Sequence, residues 1–166
     1  MRMRFLQITI IGLAIAFSAS AATKKGQKFP KFKLKTLQTQ KTTKNKDLMG
    51  KFIVVDVWAS WCEPCKFAIP AYDKIREKYK AKGLDVIGLN VDDNRDDAMK
   101  FLESHPAKFQ HLFDKEKDLV RKLGVEAMPT TYVINPKGKV IYIKRGFRPG
   151  DEKKLEKFLV KRMKKK

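Results

Sequence analysis

Two cysteines, Cys62 and Cys65, lie three residues apart and are the only two in the chain. Thiols at that spacing can meet when the segment between them turns as the first turn of a helix, where residues i and i+3 are neighbours. A thiol at a helix N-terminus is also more acidic than a free one, because unpaired N–H groups and the dipole favour the thiolate. Trp61-Cys62-Glu63-Pro64-Cys65-Lys66 therefore carries the means for thiol–disulfide exchange. Cys62 is expected to be the accessible nucleophile, and Cys65, one turn inward, the group that closes the ring. Pro64 suits a first turn, where its missing N–H costs no bond. Two other uses of the pair are weaker. A structural disulfide closing so small a ring adds little stability, because loop-closure entropy grows with ring size. A zinc site needs two more ligands, and His105 and His111 lie far outside the spacing of a finger, so no metal is expected.

The elements that must hold this pair are legible on either side of it. Phe52 to Trp58 is a near-continuous apolar run, the mark of a strand buried on both faces. Cys65, Ala68, Ile69, Tyr72, Ile75 and Tyr79 repeat at helical spacing up to Gly83, with a kink expected at Pro70. Leu84 to Val91 is a second buried strand, and a helix with Ala98, Phe101 and Leu102 inward follows. Phe109–Phe113 predicts a short strand, and Lys117–Leu123 a short helix stopped at Gly124. Thr130–Asn135 and Lys139–Arg145 are two strands around the turn Pro136-Lys137-Gly138, and Asp151 is expected to cap a last helix carrying Leu155, Phe158, Leu159 and Met163 on one face. Upstream, Phe29, Phe32, Leu34 and Leu37 alternate in a segment that reads as a short edge hairpin. This order predicts an α/β three-layer sandwich, a mixed central sheet with helices on both faces. Within the first strand, Asp56 stands among Phe, Ile and Val, a costly place for a carboxylate without a task.

The chain has 166 residues and a net charge of +20, which suits one domain. Residues 1–22 read as a signal peptide: Arg2 and Arg4, an uncharged stretch from Phe5 to Phe17, then small residues with a cleavage site near Ala21-Ala22. That leaves 23–166 as the domain and places it outside the cytoplasm, at a periplasmic or similar location where disulfides persist. The charge excess belongs to the ends, with +9 over 23–51, +5 over 151–166, and only +4 between them. Nucleic acid is not an expected partner, since the lysines are not interleaved with aromatics and an export signal precedes them. A solvated surface is the plain reading of the basic ends; contact with an anionic membrane surface is the sharper one.

Val54-Val55-Asp56-Val57-Trp58-Ala59-Ser60-Trp61-Cys62-Glu63-Pro64-Cys65 resembles the active-site segment of the thioredoxin superfamily. The export signal, the Trp-Cys-Glu-Pro-Cys centre and the extra segment 94–118 resemble its TlpA/ResA-like branch. Asn90-Val91-Asp92, Met128-Pro129-Thr130-Thr131-Tyr132-Val133-Ile134 and Gly138 fit the same frame, over roughly residues 29–160. The resemblance implies a thioredoxin-like fold and an exported thiol–disulfide oxidoreductase that needs no cofactor. It implies a cis peptide before Pro129, Met128 backbone free to pair with an extended substrate, and Trp61 as a shield beside the sulfurs. It also implies that Asp56 relays the proton of Cys65.

Some positions depart from the family pattern. A lysine that often lies near the buried acid is replaced by Gly88, and a Glu three residues beyond the second cysteine, found in many reductases of cytochrome c maturation, is replaced by Ala68. The Thr-x-x-Cys of peroxiredoxins is absent. Glu63 and Pro64 are expected to tune the pair, Glu63 by placing negative charge near the thiolate and so keeping the pair reducing. Expected partners are disulfide-containing substrate proteins and a membrane thiol reductase as electron donor. A reading from another class is a non-catalytic adaptor that uses the same frame to bind an anionic surface or acidic partner through its basic ends.

Overall fold

A computed structural model describes residues 22–164. The signal peptide expected at 1–22 therefore lies, but for its last residue, outside the described residues. The elements run β1 (Lys33–Thr36), β2 (Thr42–Lys44), β3 (Phe52–Trp58), α1 (Cys65–Tyr79), β4 (Leu84–Asn90), α2 (Arg95–Ser104), β5 (Gln110–Phe113), α3 (Asp118–Leu123), β6 (Thr130–Ile134), β7 (Val140–Arg145) and α4 (Asp151–Met163). The sheet order is β2-β1-β5-β4-β3-β6-β7. The crossover strands β3, β4 and β5 pair in parallel; β6, β7, β1 and β2 join antiparallel at the two sides. This is the expected thioredoxin-like mixed sheet.

β3 is central and wholly buried, as its apolar run requires. Its alternation sends Phe52, Val54 and Trp58 to the face covered by α1, α2 and α4, while Ile53, Val55 and Val57 face α3 and the N-terminal segment. Asp56 shares the period of Val54 and Trp58, so it points to the α1 face. The helical stripes read from sequence are the ones buried: Cys65, Ala68, Ile69, Tyr72, Ile75 and Tyr79 on α1, and Ala98, Phe101 and Leu102 on α2. α1 runs on through Pro70, and a 3-10 turn after it ends at Gly83, in the left-handed region at φ 87°. The edge hairpin is β1–β2, with the short, Thr- and Lys-rich β2 outermost, a form that discourages edge pairing.

One local expectation is corrected. Asp151 is the first residue of α4 and not its cap; Gly150 holds the cap position at φ 95°, and the Asp151 carboxylate reaches back to the Arg148 N–H at 3.0 Å. Burial alone would raise that carboxyl, but bonds from Lys144, Lys154 and Arg148 outweigh it and lower its pKa to about 2. The segment before β3 packs Phe29 and Leu48 on one face of the sheet and Leu37 on the other, where α4 packs Leu155 and Leu159.

Candidate active site

Cys62 and Cys65 are joined in a disulfide, S–S 2.03 Å, with Cα atoms 5.4 Å apart. The loop from β3 turns at Ala59, whose carbonyl accepts the Cys62 N–H at 3.1 Å; the Cys62 carbonyl then accepts the Cys65 N–H at 3.1 Å. α1 itself starts at Cys65, with Pro64 in the cap position. Cys62 thus sits in the turn before the helix, not within its first turn. It is only 4% exposed and Cys65 is fully buried, so the freely exposed Cys62 expected from sequence is not what the oxidised protein presents. The exposed groups are its neighbours. Trp61 is 68% exposed and Phe67 58%.

The loop is held from below by Asp92, just past the end of β4. Its carboxylate accepts the Ser60 N–H at 3.0 Å, the Ser60 hydroxyl at 2.9 Å and the Asn90 side-chain amide at 2.7 Å. Three donors satisfy a buried acid and fix the turn that carries Cys62. Sequence reasoning matched Asn90-Val91-Asp92 to the family frame without giving Asp92 this task; its signal is an acid at the exit of a buried strand. Glu63 is exposed and bonded to Lys66 Nζ at 2.6 Å, so the Lys66 ammonium offsets the negative charge expected to bear on the sulfur.

Beside the disulfide lies a groove of about 580 Å³, lined by Trp61, Cys62, Glu63, Pro64 and Met128 together with Val91 and the α3 end around Val120. Met128–Pro129 is a cis peptide, as the family resemblance implied. Pro129 is buried and its carbonyl accepts the Gly146 N–H at 2.7 Å. Five of the predicted residues therefore meet at one groove, while Cys65, Asp56 and Pro129 are not among its lining residues. Among the described residues no group of His, Cys, Asp and Glu side chains could hold a metal ion.

Asp56 is fully buried, and desolvation pushes its carboxyl up to about 8 against a single hydrogen bond from Thr131. Strand register sets what surrounds it. His111, Gly88, Asp56, Thr131 and Lys144 are consecutive partners across β5, β4, β3, β6 and β7. Gly88 is required by close approach: a Cβ there would lie 2.1 Å from His111 Nδ1 and 2.7 Å from Trp58 Nε1. Where the family pattern often places a lysine, the space is filled by an imidazole that burial keeps neutral, its pKa lowered to about 3. His105 is the ordinary packed histidine, stacked on Phe101 at 4.4 Å.

A family model described as Redoxin matches residues 24–159. Thiol-disulfide oxidoreductase ResA of Bacillus cereus is 30% identical over 145 residues, covering 87% of this chain and 82% of that protein. Thiol:disulfide interchange protein DsbE of Pseudomonas fluorescens is 36% identical over 114 residues, 68% of this chain and 62% of that one. A solved chain from Chlorobium tepidum, assigned as a thiol:disulfide interchange protein DsbE, superposes with a TM-score of 0.81 at 39% identity, covering 86% of this chain and 99% of that one.

Proposed function

The chain belongs to the Redoxin family, and from that premise we propose how its cysteine pair works and in which direction. It is a TlpA/ResA-like member of the thioredoxin superfamily and a thiol–disulfide oxidoreductase. The observation that carries the reading is the Cys62–Cys65 disulfide set beside a groove between the β3–α1 loop, α3 and the segment leading into β6. The adaptor reading is not favoured, since the relatives that match most of the chain are thiol–disulfide oxidoreductases.

In the proposed cycle the reduced protein is the reductant. The Cys62 thiolate attacks a substrate disulfide, forming a mixed disulfide and releasing one substrate thiolate. Cys65 gives its proton to Asp56 and attacks the Cys62 sulfur, which releases the second substrate thiolate and leaves the Cys62–Cys65 disulfide. Two electrons pass to the substrate. A membrane thiol reductase returns them through the same pair.

Support for Asp56 as the base comes from its complete burial, a pKa raised to about 8, and its position on the α1 face of β3. A base in that range is matched to a buried thiol near neutral pH. Trp61 and Met128 are the proposed substrate contacts, Trp61 by its exposed ring and Met128 by backbone pairing with an extended substrate ahead of β6. Glu63 and Pro64 tune the pair in this reading, Glu63 weakly because of Lys66. Residues 1–22 act as an export signal, leaving 23–166 as one unit outside the cytoplasm. Contact of the basic ends with anionic membranes is a secondary role.

Insulin reduction with the wild type and Cys62→Ser tests the chemistry; activity retained by Cys62→Ser overturns it. Trapping with Cys65→Ser should capture mixed disulfides on Cys62, and the mass of the exported chain should begin near Ala22. Replacing the lysines of 161–166 with Gln should leave peptide reduction unchanged while weakening adsorption to anionic vesicles, most at low salt.

A further inference from the structure

Asp56 Oδ1 accepts a hydrogen bond from the Thr131 hydroxyl at 3.1 Å, and Thr131 Oγ1 lies 2.9 Å from Tyr72 Oη. The three residues come from β3, β6 and α1, and none is more than 2% exposed. A hydroxyl has one proton to give. Thr131 spends its proton on Asp56, so the Tyr72 hydroxyl is the donor to Thr131. The chain runs one way, Tyr72 to Thr131 to Asp56. Oδ2, the other carboxyl oxygen, has no hydrogen-bond partner among the described residues. Three polar groups buried together cost stability unless they satisfy one another, and a purely structural filling of this space would be aliphatic.

We propose that Thr131 and Tyr72 are positioning residues for Asp56: they hold the carboxyl by Oδ1, leaving Oδ2 as the atom that takes the proton of Cys65, and Tyr72 acts only through Thr131. This rests on the reading of Asp56 as the base. The other groups that face Asp56 are fixed or silent. Cys65 of α1 packs on the same face of the sheet and is its proton partner in the proposed cycle. Gly88 of β4 presents no side chain, and His111 of β5 beyond it is neutral. Lys144 of β7, next to Thr131, is held by Asp151 of α4 at 3.0 Å. Tyr142 of β7 and Asp151 bear on Tyr72, whose hydroxyl is pushed well above its ordinary value first by burial and then by Asp56. Tyr72 therefore stays protonated and remains a donor throughout the cycle.

Because the Thr131 bond favours the ionised carboxylate, its loss should raise the Asp56 pKa. A hydrogen bond to a charged group is worth enough to move it by about one to two units. The test is Thr131→Val, Tyr72→Phe and the double variant, read by NMR titration of the labelled Asp56 carboxyl in the oxidised protein. Resolution of a preformed mixed disulfide is followed against pH in parallel. Thr131→Val should move both midpoints up by about one to two units and slow resolution at pH 7 about tenfold. Tyr72→Phe should move them the same way by less than half, and add nothing in the Thr131→Val background. Thr131→Ser should restore wild-type values, which separates lost hydroxyl chemistry from lost packing. An Asp56 pKa unmoved in Thr131→Val, or a Tyr72→Phe effect of equal size in both backgrounds, overturns the proposal. If instead Asp56→Asn resolves at the wild-type rate, the base reading itself fails, whatever the titration of Asp56 shows.

Discussion

Around the disulfide, position follows from the neighbouring residues in sequence; one layer down, in the row His111, Gly88, Asp56, Thr131 and Lys144, it follows from strand register. Trp61, Glu63 and Lys66 are placed by a single turn, and the one contact among them, the Glu63–Lys66 ion pair, is exposed and local. The row draws one residue from each of five strands, so every member limits its neighbours: the His111 ring fits only because Gly88 lacks a Cβ. The difference predicts where function and stability separate. Changes at the rim should alter encounter with substrate, and changes in the row should alter proton transfer and folding together.

The sharpest contrast is kinetic. Asp56→Asn should slow resolution of a mixed disulfide by about 10²–10⁴-fold, the usual worth of general-base help, while its formation by Cys62 changes little. Rapid-quench measurement of the mixed disulfide separates the two steps, and equal slowing of both would break the division between rim and row.

Next in size is the pH dependence of stability. The Asp56 carboxyl titrates near 3.8 unfolded and about 8 folded, so between those values the unfolded chain has lost the proton that the folded one keeps. Stability falls across that window, by an amount on the order of 5 kcal/mol. His111 works the other way: folded it takes a proton only near pH 3, unfolded near 6.5, so stability is lost as pH falls through that range. The two slopes oppose each other between about pH 4 and 6.5. Denaturant unfolding across pH should therefore show Asp56→Asn gaining on the wild type up to pH 8. His111→Leu should lose the acid-side fall. A wild-type slope left intact by both variants would mean that neither group titrates as its burial requires.

Gly88→Ala should cost roughly 1–3 kcal/mol, because the new methyl meets the His111 and Trp58 rings in a filled core. Combined with His111→Ala the losses should be less than additive, since the nearer of the two clashing rings is gone. Additive losses would place the strain elsewhere than this contact.

The smallest effect belongs to the rim. Trp61→Ala should leave the unfolding midpoint unchanged, because the ring is mostly in water, and lower kcat/KM for a protein disulfide several-fold, about 1 kcal/mol of lost contact. A drop in stability larger than this loss of activity would erase the contrast.

The exchange chemistry of Cys62 and Cys65 was legible in the sequence because it depends on a spacing of three and on the elements to either side. The buried strand at 52–58, the α1 stripe and the edge hairpin were legible for the same reason, since hydrophobic period is a local property. Asp56 was singled out by its apolar neighbours and by its place in the family's active-site segment. What surrounds it was not legible: Tyr72 read as one more core aromatic, Thr131 as a strand residue and His111 as a stray histidine. Their relation to Asp56 is made by cross-strand register and by helix packing on the sheet, which join positions far apart in the chain. The depth of Cys62 was likewise decided by packing, which leaves 4% exposed a residue that local spacing placed at the surface. Local spacing selects which side chains can react; only the folded sheet determines which polar groups lie against them, and with what charge.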